Sequence, residues 1–208
     1  MPDYVLVYFP VRGKAEFIRY LFHQAGIDFD EESVTFDDWP SIKPTTPMGQ
    51  LPVLKHKDKQ LCQSLAIARH VASEGGLLGE SSLDKAKADM LIEGIYDDLY
   101  KPYAECYRPI IKGDEAAAKA AYANFKPDVL AKFLDRYEKF LTENGTGYFV
   151  GQKLTWADLI IAEFLNRVLC CFDPDALAGH PALKAHHDKI HELPNVKKYV
   201  DARPEYKF

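Results

Sequence analysis

Three short stretches of the chain carry the residues best suited to bind and activate a small ligand. Tyr8 ends an apolar run, and its phenol can donate a hydrogen bond to a bound anion. Leu51 precedes Pro52, and X-Pro bonds adopt the cis form far more readily than other peptide bonds. Gln63 and Ser64 precede a helical pattern, and the amide groups at a helix N-terminus attract carboxylates. These stretches indicate a site for a small peptide.

The chemistry most accessible to Tyr8 is stabilisation of a thiolate that belongs to the ligand. A free thiol has a pKa of about 8.5 and a phenol about 10, so neither ionises much at neutral pH. Lowering the thiol pKa by about two units requires roughly 2.7 kcal/mol. One charge-assisted hydrogen bond in a partly dry site, aided by a helix terminus, supplies most of that. The alternative is a core tyrosine, which is the better interpretation of the strand alone.

The residues around Pro52 predict a hairpin followed by a helix, with Ser64 as the helix N-cap. Because proline cannot donate a hydrogen bond to a central ladder, Pro52 is expected at the first position of an edge strand. A cis bond there would turn the Leu51 backbone towards an open cleft. Each feature alone has a simpler interpretation, since most such prolines only end loops and most serine caps bind nothing.

The residues before this hairpin supply the elements that must position it. Residues 4–9 are predicted to form a buried strand, residues 15–25 a helix that ends at Gly26, and residues 27–36 a second strand. A proline-rich loop over residues 39–47 then leads to the hairpin. The order β-α-β, then β-β-α, predicts a thioredoxin-like fold. The first strand is followed by proline and glycine rather than by cysteines, so dithiol exchange has no nucleophile.

The chain after the glycines at 75–79 has a helical pattern throughout, so a domain boundary is expected there. We therefore predict a thioredoxin-like domain over residues 1–79 and an all-helical domain over residues 80–208. Ser81 or Ser82 is expected to cap the first long helix, and Pro127 to open a later one.

A capping pattern begins the helix over residues 156–169, which is expected to be the most buried. Thr155 and Asp158 are spaced as a capping box with aspartate in place of glutamate. They match a local folding motif and are not counted as catalytic.

Composition and charge narrow the classes of function. The 208 residues are 47% hydrophobic and 27% charged, as in ordinary globular proteins. The net charge of −5 and the lack of any lysine or arginine cluster argue against nucleic acid. No apolar run approaches the about 20 residues that span a bilayer, and the N-terminus lacks a signal-peptide pattern. The expectation is a cytoplasmic protein with a small-molecule ligand and no membrane insertion.

The cysteines and histidines predict neither a disulfide framework nor a metal site. The four cysteines lack a C-x-x-C motif or paired spacing: Cys62, Cys106, Cys170 and Cys171. Cys170 and Cys171 lie in an apolar stretch and are predicted to be core thiols. His187 and His191 have the spacing of a zinc pair, but the glutamate of His-Glu-x-x-His and a third ligand are missing. A solvated helix face is the better interpretation of these histidines.

The ordered motifs resemble those of glutathione transferases of the sigma class. They are Tyr8-Phe9 with Arg12-Gly13-x-Ala15-Glu16, Asp38-Trp39-Pro40-x-x-Lys43, Gly49-Gln50-Leu51-Pro52-Val53-Leu54, Gln63-Ser64-Leu65-Ala66-Ile67-Ala68-Arg69 and Leu154-Thr155-Trp156-Ala157-Asp158. The resemblance covers nearly the whole chain and extends to the class member haematopoietic prostaglandin D synthase. It implies a glutathione-binding first domain, a helical domain that contributes the electrophile pocket, and a cytoplasmic homodimer that acts in detoxification.

The resemblance also implies roles for individual residues. Tyr8 matches the tyrosine that stabilises the glutathione thiolate. Trp39 and Lys43 match residues at the glycine carboxylate, and Gln50 stands where relatives often have lysine or glutamine.

Further matches concern the rest of the tripeptide. Leu51, before the cis-proline Pro52, matches the residue whose backbone pairs with the cysteinyl unit. Gln63 and Ser64 match the pair that holds the γ-glutamyl group. Asp97 resembles the acid that reaches the amine of glutathione from the partner subunit.

Some positions depart from the prostaglandin synthase. Lys14 replaces an arginine and lacks its forked geometry, while Tyr103 and Ala104 stand where a tryptophan lines the electrophile pocket. Aromatic residues recur at helical spacing and are partly core by default: Tyr96, Tyr100, Tyr103 and Tyr107. Of these, Tyr103 and Tyr107 are hypotheses for the wall of that pocket. The acidic cluster that resembles a divalent-ion site is here Glu93, Tyr96 and Asp97. A tyrosine replaces one acid, so no metal is predicted.

The resemblance therefore favours a glutathione transferase that conjugates small hydrophobic electrophiles, with reduction of organic hydroperoxides as a candidate second activity. One alternative is a glutathione-dependent prostaglandin H isomerase. Another is a non-catalytic ligand-binding or structural protein, since relatives include lens proteins and haem binders. An intact Tyr8, Gln63 and Ser64 favour catalysis.

Overall fold

The computed structural model describes residues 2–205 and divides them into two compact units. The first unit contains the residues up to Leu78 together with those from Leu193 onward, and the second is Gly79–Glu192. This division differs from the expected one, in which residues 80–208 form one domain. The reason is that the helix Pro194–Ala202 packs against the helix Glu16–Ala25 of the first unit.

The first unit is built on a four-stranded mixed sheet. Its strands are β1 (Tyr4–Tyr8), β2 (Asp30–Ser33), β3 (Val53–His56) and β4 (Lys59–Cys62), in the order β2-β1-β3-β4. β1 pairs parallel with β2 and antiparallel with β3, which pairs antiparallel with β4. The second strand is shorter than the predicted 27–36 and wholly exposed. The β-α-β, then β-β-α order agrees with the prediction.

Ten α-helices surround or follow this sheet within the described residues. They are α1 (Glu16–Ala25), α2 (Trp39–Ile42), α3 (Ser64–Glu74), α4 (Ser82–Gly94), α5 (Lys101–Ile111), α6 (Glu115–Phe125), α7 (Ala131–Asn144), α8 (Trp156–Cys171), α9 (Pro181–His191) and α10 (Pro194–Ala202). None of them is long and apolar enough to cross a membrane.

Three local expectations in the first unit need correction. Pro52 lies just before β3, an inner strand, so its predicted place on an edge strand is wrong. No ladder donor is lost, because the pairing of β3 begins at Val53. The predicted loop over residues 39–47 contains α2 and the 3₁₀ turn Lys43–Thr45. Ser64 is the first residue of α3 rather than its N-cap, a position that Gln63 takes.

A buried charge network explains why α10 belongs to the first unit. Glu16, on α1, is 0% exposed and lies 3.0 Å from the Arg19 guanidinium. The Tyr199 hydroxyl donates to the same carboxylate over 3.1 Å, and Arg203 forms an ion pair with it. A buried carboxylate is costly without such partners, so α1 and the C-terminal segment are held together.

The second unit contains two long helical runs, each with a π-helical segment in its middle. Ile95–Tyr100 joins α4 to α5, and Lys126–Leu130 joins α6 to α7. Pro127 therefore lies inside a continuous helical run, and the prediction that it opens a separate helix is wrong. A wider π turn suits a proline, which lacks the N–H that an α-helix requires. The predicted cap at Ser81 is confirmed, because Ser81 and Asp84 form a capping box.

Asp158 anchors α8 within the second unit. Its Oδ2 accepts hydrogen bonds from the backbone and hydroxyl of Thr155, at 2.8 and 2.9 Å. Its Oδ1 accepts from the Phe149 backbone at 2.9 Å and lies 3.0 Å from Nε2 of His186. Both Asp158 and His186 are buried. The predicted pairing of Thr155 with Asp158 is confirmed, and it extends to two further segments of the unit.

The end of α8 contradicts the prediction for the two adjacent cysteines. Cys170 is exposed and Cys171 is only half-buried, so neither is a core thiol. The buried face of α8 ends at Val168, so the last turn of the helix, which carries both cysteines, lies outside the core.

We expect Asp158→Asn to destabilise the protein by about 3 kcal/mol, because one amide nitrogen would face buried donors that now share a carboxylate. Urea unfolding followed by circular dichroism measures this loss. Asp84→Asn, at the same position of the more exposed capping box of α4, is the matched control and should cost much less. Equal losses in the two variants would show that burial of Asp158 contributes nothing beyond capping.

Candidate functional site

The strand register brings three ligand-binding stretches to one edge of the sheet. The residues that pair across β1, β3 and β4 there are Val7, Val53 and Cys62. Because neighbouring strands run in opposite directions, Tyr8, Pro52 and Gln63 come next to these pairs at the same edge. Tyr8 and Gln63, which are 55 residues apart in sequence, are thus brought to the same edge by strand pairing.

Tyr8 is held tightly where β1 ends. It is 9% exposed, and the backbone N–H of Lys14 donates a hydrogen bond to its hydroxyl oxygen over 2.9 Å. A hydroxyl that accepts such a bond becomes a stronger donor through its own hydrogen. Burial also lowers the pKa of the half-buried Lys14 ammonium.

Gly13 allows this close approach, a role that its place in the sequence motif did not indicate. A Cβ at Gly13 would lie 2.5 Å from the Tyr8 hydroxyl oxygen, and the backbone φ of +43° also disfavours a side chain. The signal available in the sequence was a glycine five residues after the tyrosine.

The Leu51–Pro52 peptide bond is cis, as predicted. Leu51 is half-buried against an apolar cluster of Val7, Val34 and Val53. The other side chains packed on this cluster are Phe9, Trp39, Ile42 and Cys62. The cluster therefore positions both Leu51 and Trp39 from beneath.

The start of α3 presents the predicted γ-glutamyl pair. Gln63 has a φ of +72°, and Ser64 is 6% exposed at the first helical position. The amide nitrogen of Gln63 lies 3.4 Å from the Met48 sulfur and 3.5 Å from the Gln50 amide oxygen. The structure thus brings Gln50 and Gln63 together beside a helix N-terminus, where backbone amides favour a carboxylate.

Trp39 and Lys43 lie one helical turn apart. The backbone N–H of Lys43 bonds to the carbonyl oxygen of Trp39 at the end of α2. The exposed Lys43 side chain passes Gly49, where a Cβ would lie 3.4 Å from its Cε. Lys43 is therefore close to the segment that leads into Gln50.

Asp97 belongs to the second unit, where it is exposed on the π-helical segment Ile95–Tyr100. Its neighbour Asp98 forms an ion pair with Arg136 at 2.9 Å. The expected contact of Asp97 with a ligand on another subunit stays a prediction.

In the second unit, Tyr103 is buried in the core and does not line the expected electrophile pocket. Tyr103 is 2% exposed and packs edge-on against Phe164 and Phe172. Burial raises the pKa of its hydroxyl far above the usual value. Tyr103 is therefore a core residue, whereas Tyr107 is half-exposed.

Among residues 2–205 no group of three or more histidine, cysteine or acidic side chains could hold a metal ion. The His187 and His191 rings lie 4.1 Å apart. His187 contacts Asp188 at 3.1 Å, and burial lowers the pKa of its imidazole.

The chain is similar to known proteins over nearly its whole length. The model of the glutathione S-transferase N-terminal domain matches residues 4–73, and that of the C-terminal domain matches residues 97–203. Glutathione S-transferase 1 of Ascaris suum is 37% identical, covering 99% of this chain and 98% of that protein. Hematopoietic prostaglandin D synthase of Gallus gallus is 36% identical, with 99% and 98% covered.

A solved structure agrees over the same length. Monomeric Na-GST-3, a glutathione S-transferase from the hookworm Necator americanus, superposes with a TM-score of 0.92 at 36% identity, covering 99% of this chain and 100% of that one. The predicted architecture of a thioredoxin-like domain followed by a helical domain is confirmed. Both domain models in order, and full-length relatives above 30% identity, show that the chain belongs to the glutathione S-transferase family.

Proposed function

We propose that the protein conjugates the thiol of reduced glutathione to small hydrophobic electrophiles, with Tyr8 stabilising the thiolate. The observation that carries this proposal is the position of the Tyr8 hydroxyl, which is held by the Lys14 N–H. It lies at the edge of the sheet where Pro52 and Gln63 also lie. A fixed hydrogen-bond donor at that edge suits a sulfur atom placed there by the rest of the tripeptide.

Each end of glutathione has a complementary group in the proposed complex. Lys43 offers charge and Trp39 an indole N–H to the glycine carboxylate. The Leu51 backbone pairs with the cysteinyl unit, as the cis bond to Pro52 allows. The γ-glutamyl carboxylate meets the first turn of α3. Gln63 and Ser64 hold the γ-glutamyl group, and Gln50 contacts the Gln63 amide beside it.

The reaction needs no covalent role for the protein. The thiol proton leaves to solvent, and the Tyr8 hydroxyl keeps its own hydrogen while donating it to the sulfur anion. The thiolate then attacks the electrophilic carbon, so a C–S bond forms and any leaving group departs with its electron pair. Because the Lys14 N–H polarises the phenol, Tyr8 favours the ionised sulfur without being ionised itself.

The same proposal includes sigma-class membership, supported by the ordered motifs, and a cytoplasmic location. It also includes a homodimer in which Asp97 reaches the glutathione amine held by the other subunit, which suits its exposure.

In such a dimer, Asp97→Asn should weaken glutathione binding severalfold, while Asp98→Asn, a change at its exposed neighbour, should not. Sedimentation of a monomer with full glutathione affinity would contradict the dimer and this role.

Tyr8→Phe tests whether the Tyr8 hydroxyl stabilises the glutathione thiolate. The variant should bind glutathione nearly as well as the wild type but lose about tenfold or more in kcat at pH 7, since the bound thiol returns towards its free pKa of about 8.5. The loss should shrink as pH rises past that value, because the thiol then ionises unaided. Tyr4→Phe, on the same strand, is the matched control. A loss independent of pH would remove Tyr8 from thiolate stabilisation.

Gly13→Ala tests whether the close backbone approach positions Tyr8. The added Cβ would lie 2.5 Å from the hydroxyl oxygen, so we expect the pH–rate profile to move towards that of Tyr8→Phe. Gly26→Ala is the matched control, because Gly26 also has a positive φ but a Cβ there meets no described atom within 4 Å. Equal effects on kcat in both variants would mean that backbone strain alone is responsible.

A second candidate is isomerisation of a prostaglandin endoperoxide. It is favoured by the 36% identity to hematopoietic prostaglandin D synthase over 99% of the chain. Lys14 weakens it, because an ammonium group lacks the forked donor geometry of the arginine in that enzyme. Product analysis with the endoperoxide and glutathione separates the two: formation of prostaglandin D at a rate above conjugation would favour the isomerase.

Reduction of an organic hydroperoxide, measured in parallel, reports the expected peroxidase activity.

A further inference from the structure

Two histidines of the first unit lie side by side at the end of the sheet opposite to Tyr8. His56 is the last residue of β3 and pairs with Tyr4, the first residue of β1, whereas Tyr8 is the last residue of β1. His70 lies on α3. The centroids of the two imidazole rings are 5.6 Å apart. The Tyr4 ring lies 4.3 Å from the His56 ring and 6.1 Å from the His70 ring, so the two imidazoles share one aromatic neighbour.

The ring nitrogens of His56 and His70 are available to a ligand. Within residues 2–205, neither imidazole forms a hydrogen bond or an ion pair. Both side chains are half-buried, and none of their ring nitrogens is fully enclosed by the protein. The histidines of the second unit differ, because each has a polar contact through a ring nitrogen: His180, His186, His187 and His191. A neutral imidazole with a free nitrogen is the side chain that most often binds metal ions in proteins.

The separation of the two rings suits one shared metal ion. A zinc ion about 2.1 Å from one nitrogen of each ring lies about 3.2 Å from each ring centroid. At the tetrahedral angle the two centroids are then about 5.2 Å apart, which is close to the 5.6 Å between His56 and His70. Since neither side chain is locked in the core, a small rotation of either ring closes the difference.

The charges around the histidine pair favour a cation. Burial, together with the nearby carboxylates of Glu74 and Asp3, raises the pKa of the Tyr4 hydroxyl. Both acids therefore lie near the three rings. The helix α3 ends at Glu74, and the negative end of a helix dipole also attracts cations. The two lysines that flank His56 in the sequence form ion pairs with acids, at 2.5 and 3.9 Å, which offsets their positive charge.

We propose that His56 and His70 together bind one divalent transition-metal ion of the zinc type, with water molecules completing its coordination. Imidazole nitrogens suit zinc and its neighbours in the first transition row, whereas calcium and magnesium prefer oxygen ligands. The ion joins the end of β3 to α3, so its binding stabilises the folded first unit. It lies away from the Tyr8 hydroxyl and takes no part in the proposed conjugation.

The experiment titrates Zn²⁺ into the untagged protein and follows the heat of binding. Glutathione is left out, because its thiol would itself bind Zn²⁺. We expect one ion per chain with a Kd of about 10–100 µM, and a melting temperature that rises with Zn²⁺ concentration. His56→Gln and His70→Gln should each weaken binding about tenfold or more, since each removes one of two protein ligands. His70→Ala provides the same test on a helix surface should His56→Gln lower the stability of the fold.

Two control variants address the competing ligands of the chain. His187→Gln disrupts the other close histidine pair, whose rings lie 4.1 Å apart, and Cys170→Ser removes an exposed thiol. Both should bind Zn²⁺ as the wild type does, and circular dichroism confirms that each variant is folded. Unchanged affinity in folded His70→Gln overturns the proposal, as does loss of binding in either control. A wild-type Kd above about 1 mM, or one ion shared by two chains, also overturns it. Each of these results leaves the proposed conjugation of glutathione untouched, because that reaction is measured without added metal.

Discussion

The site depends on one short contact, the hydrogen bond from the Lys14 backbone to the Tyr8 hydroxyl. It requires the chain to turn back on β1 within six residues, and only a glycine at position 13 leaves room for the phenol. Side chains could shift in response to a ligand, but a backbone donor followed by α1 cannot move far. Tyr8 is therefore aimed by the same turn that starts the first helix, and its direction does not depend on any bound molecule.

Strand register then decides what Tyr8 faces. Pairing of β1, β3 and β4 places the cis-proline and the start of α3 at the same edge as the phenol. A shift of one residue in β3 would turn its side chains to the opposite face and move Leu51 away from that edge. The apolar cluster of Val7, Val34 and Val53 opposes such a shift, because all three are buried together. Core packing and ligand geometry are thus one constraint.

Local features were predictable from the sequence, and features that depend on distant packing were not. The hairpin, the cap at Ser81 and the cis bond before Pro52 follow from a few adjacent residues. β3 is an inner strand because β1 and β4 pair on its two sides, so the prediction of an edge strand is wrong. The prediction of a core thiol at Cys170 is wrong for the same reason, since periodicity gives a helix face but not its depth. The same limit left Tyr103 open between the core and a pocket wall, and the structure places it in the core. Gly13 was missed because its importance is an approach in space, not a pattern.

In both units, the charged residues that are buried are not the candidate site residues. The buried Glu16 carboxylate ties α1 to the C-terminal segment through Tyr199 and Arg203, and the buried Asp158–His186 pair ties α8 to α9. Removing either carboxylate would leave buried donors without this acceptor, so substitutions at Glu16 and Asp158 are costly. Two of the residues proposed to bind glutathione differ from these, because Lys43 and Gln63 are exposed. Burial of charge therefore stabilises the two units at positions separate from these two residues.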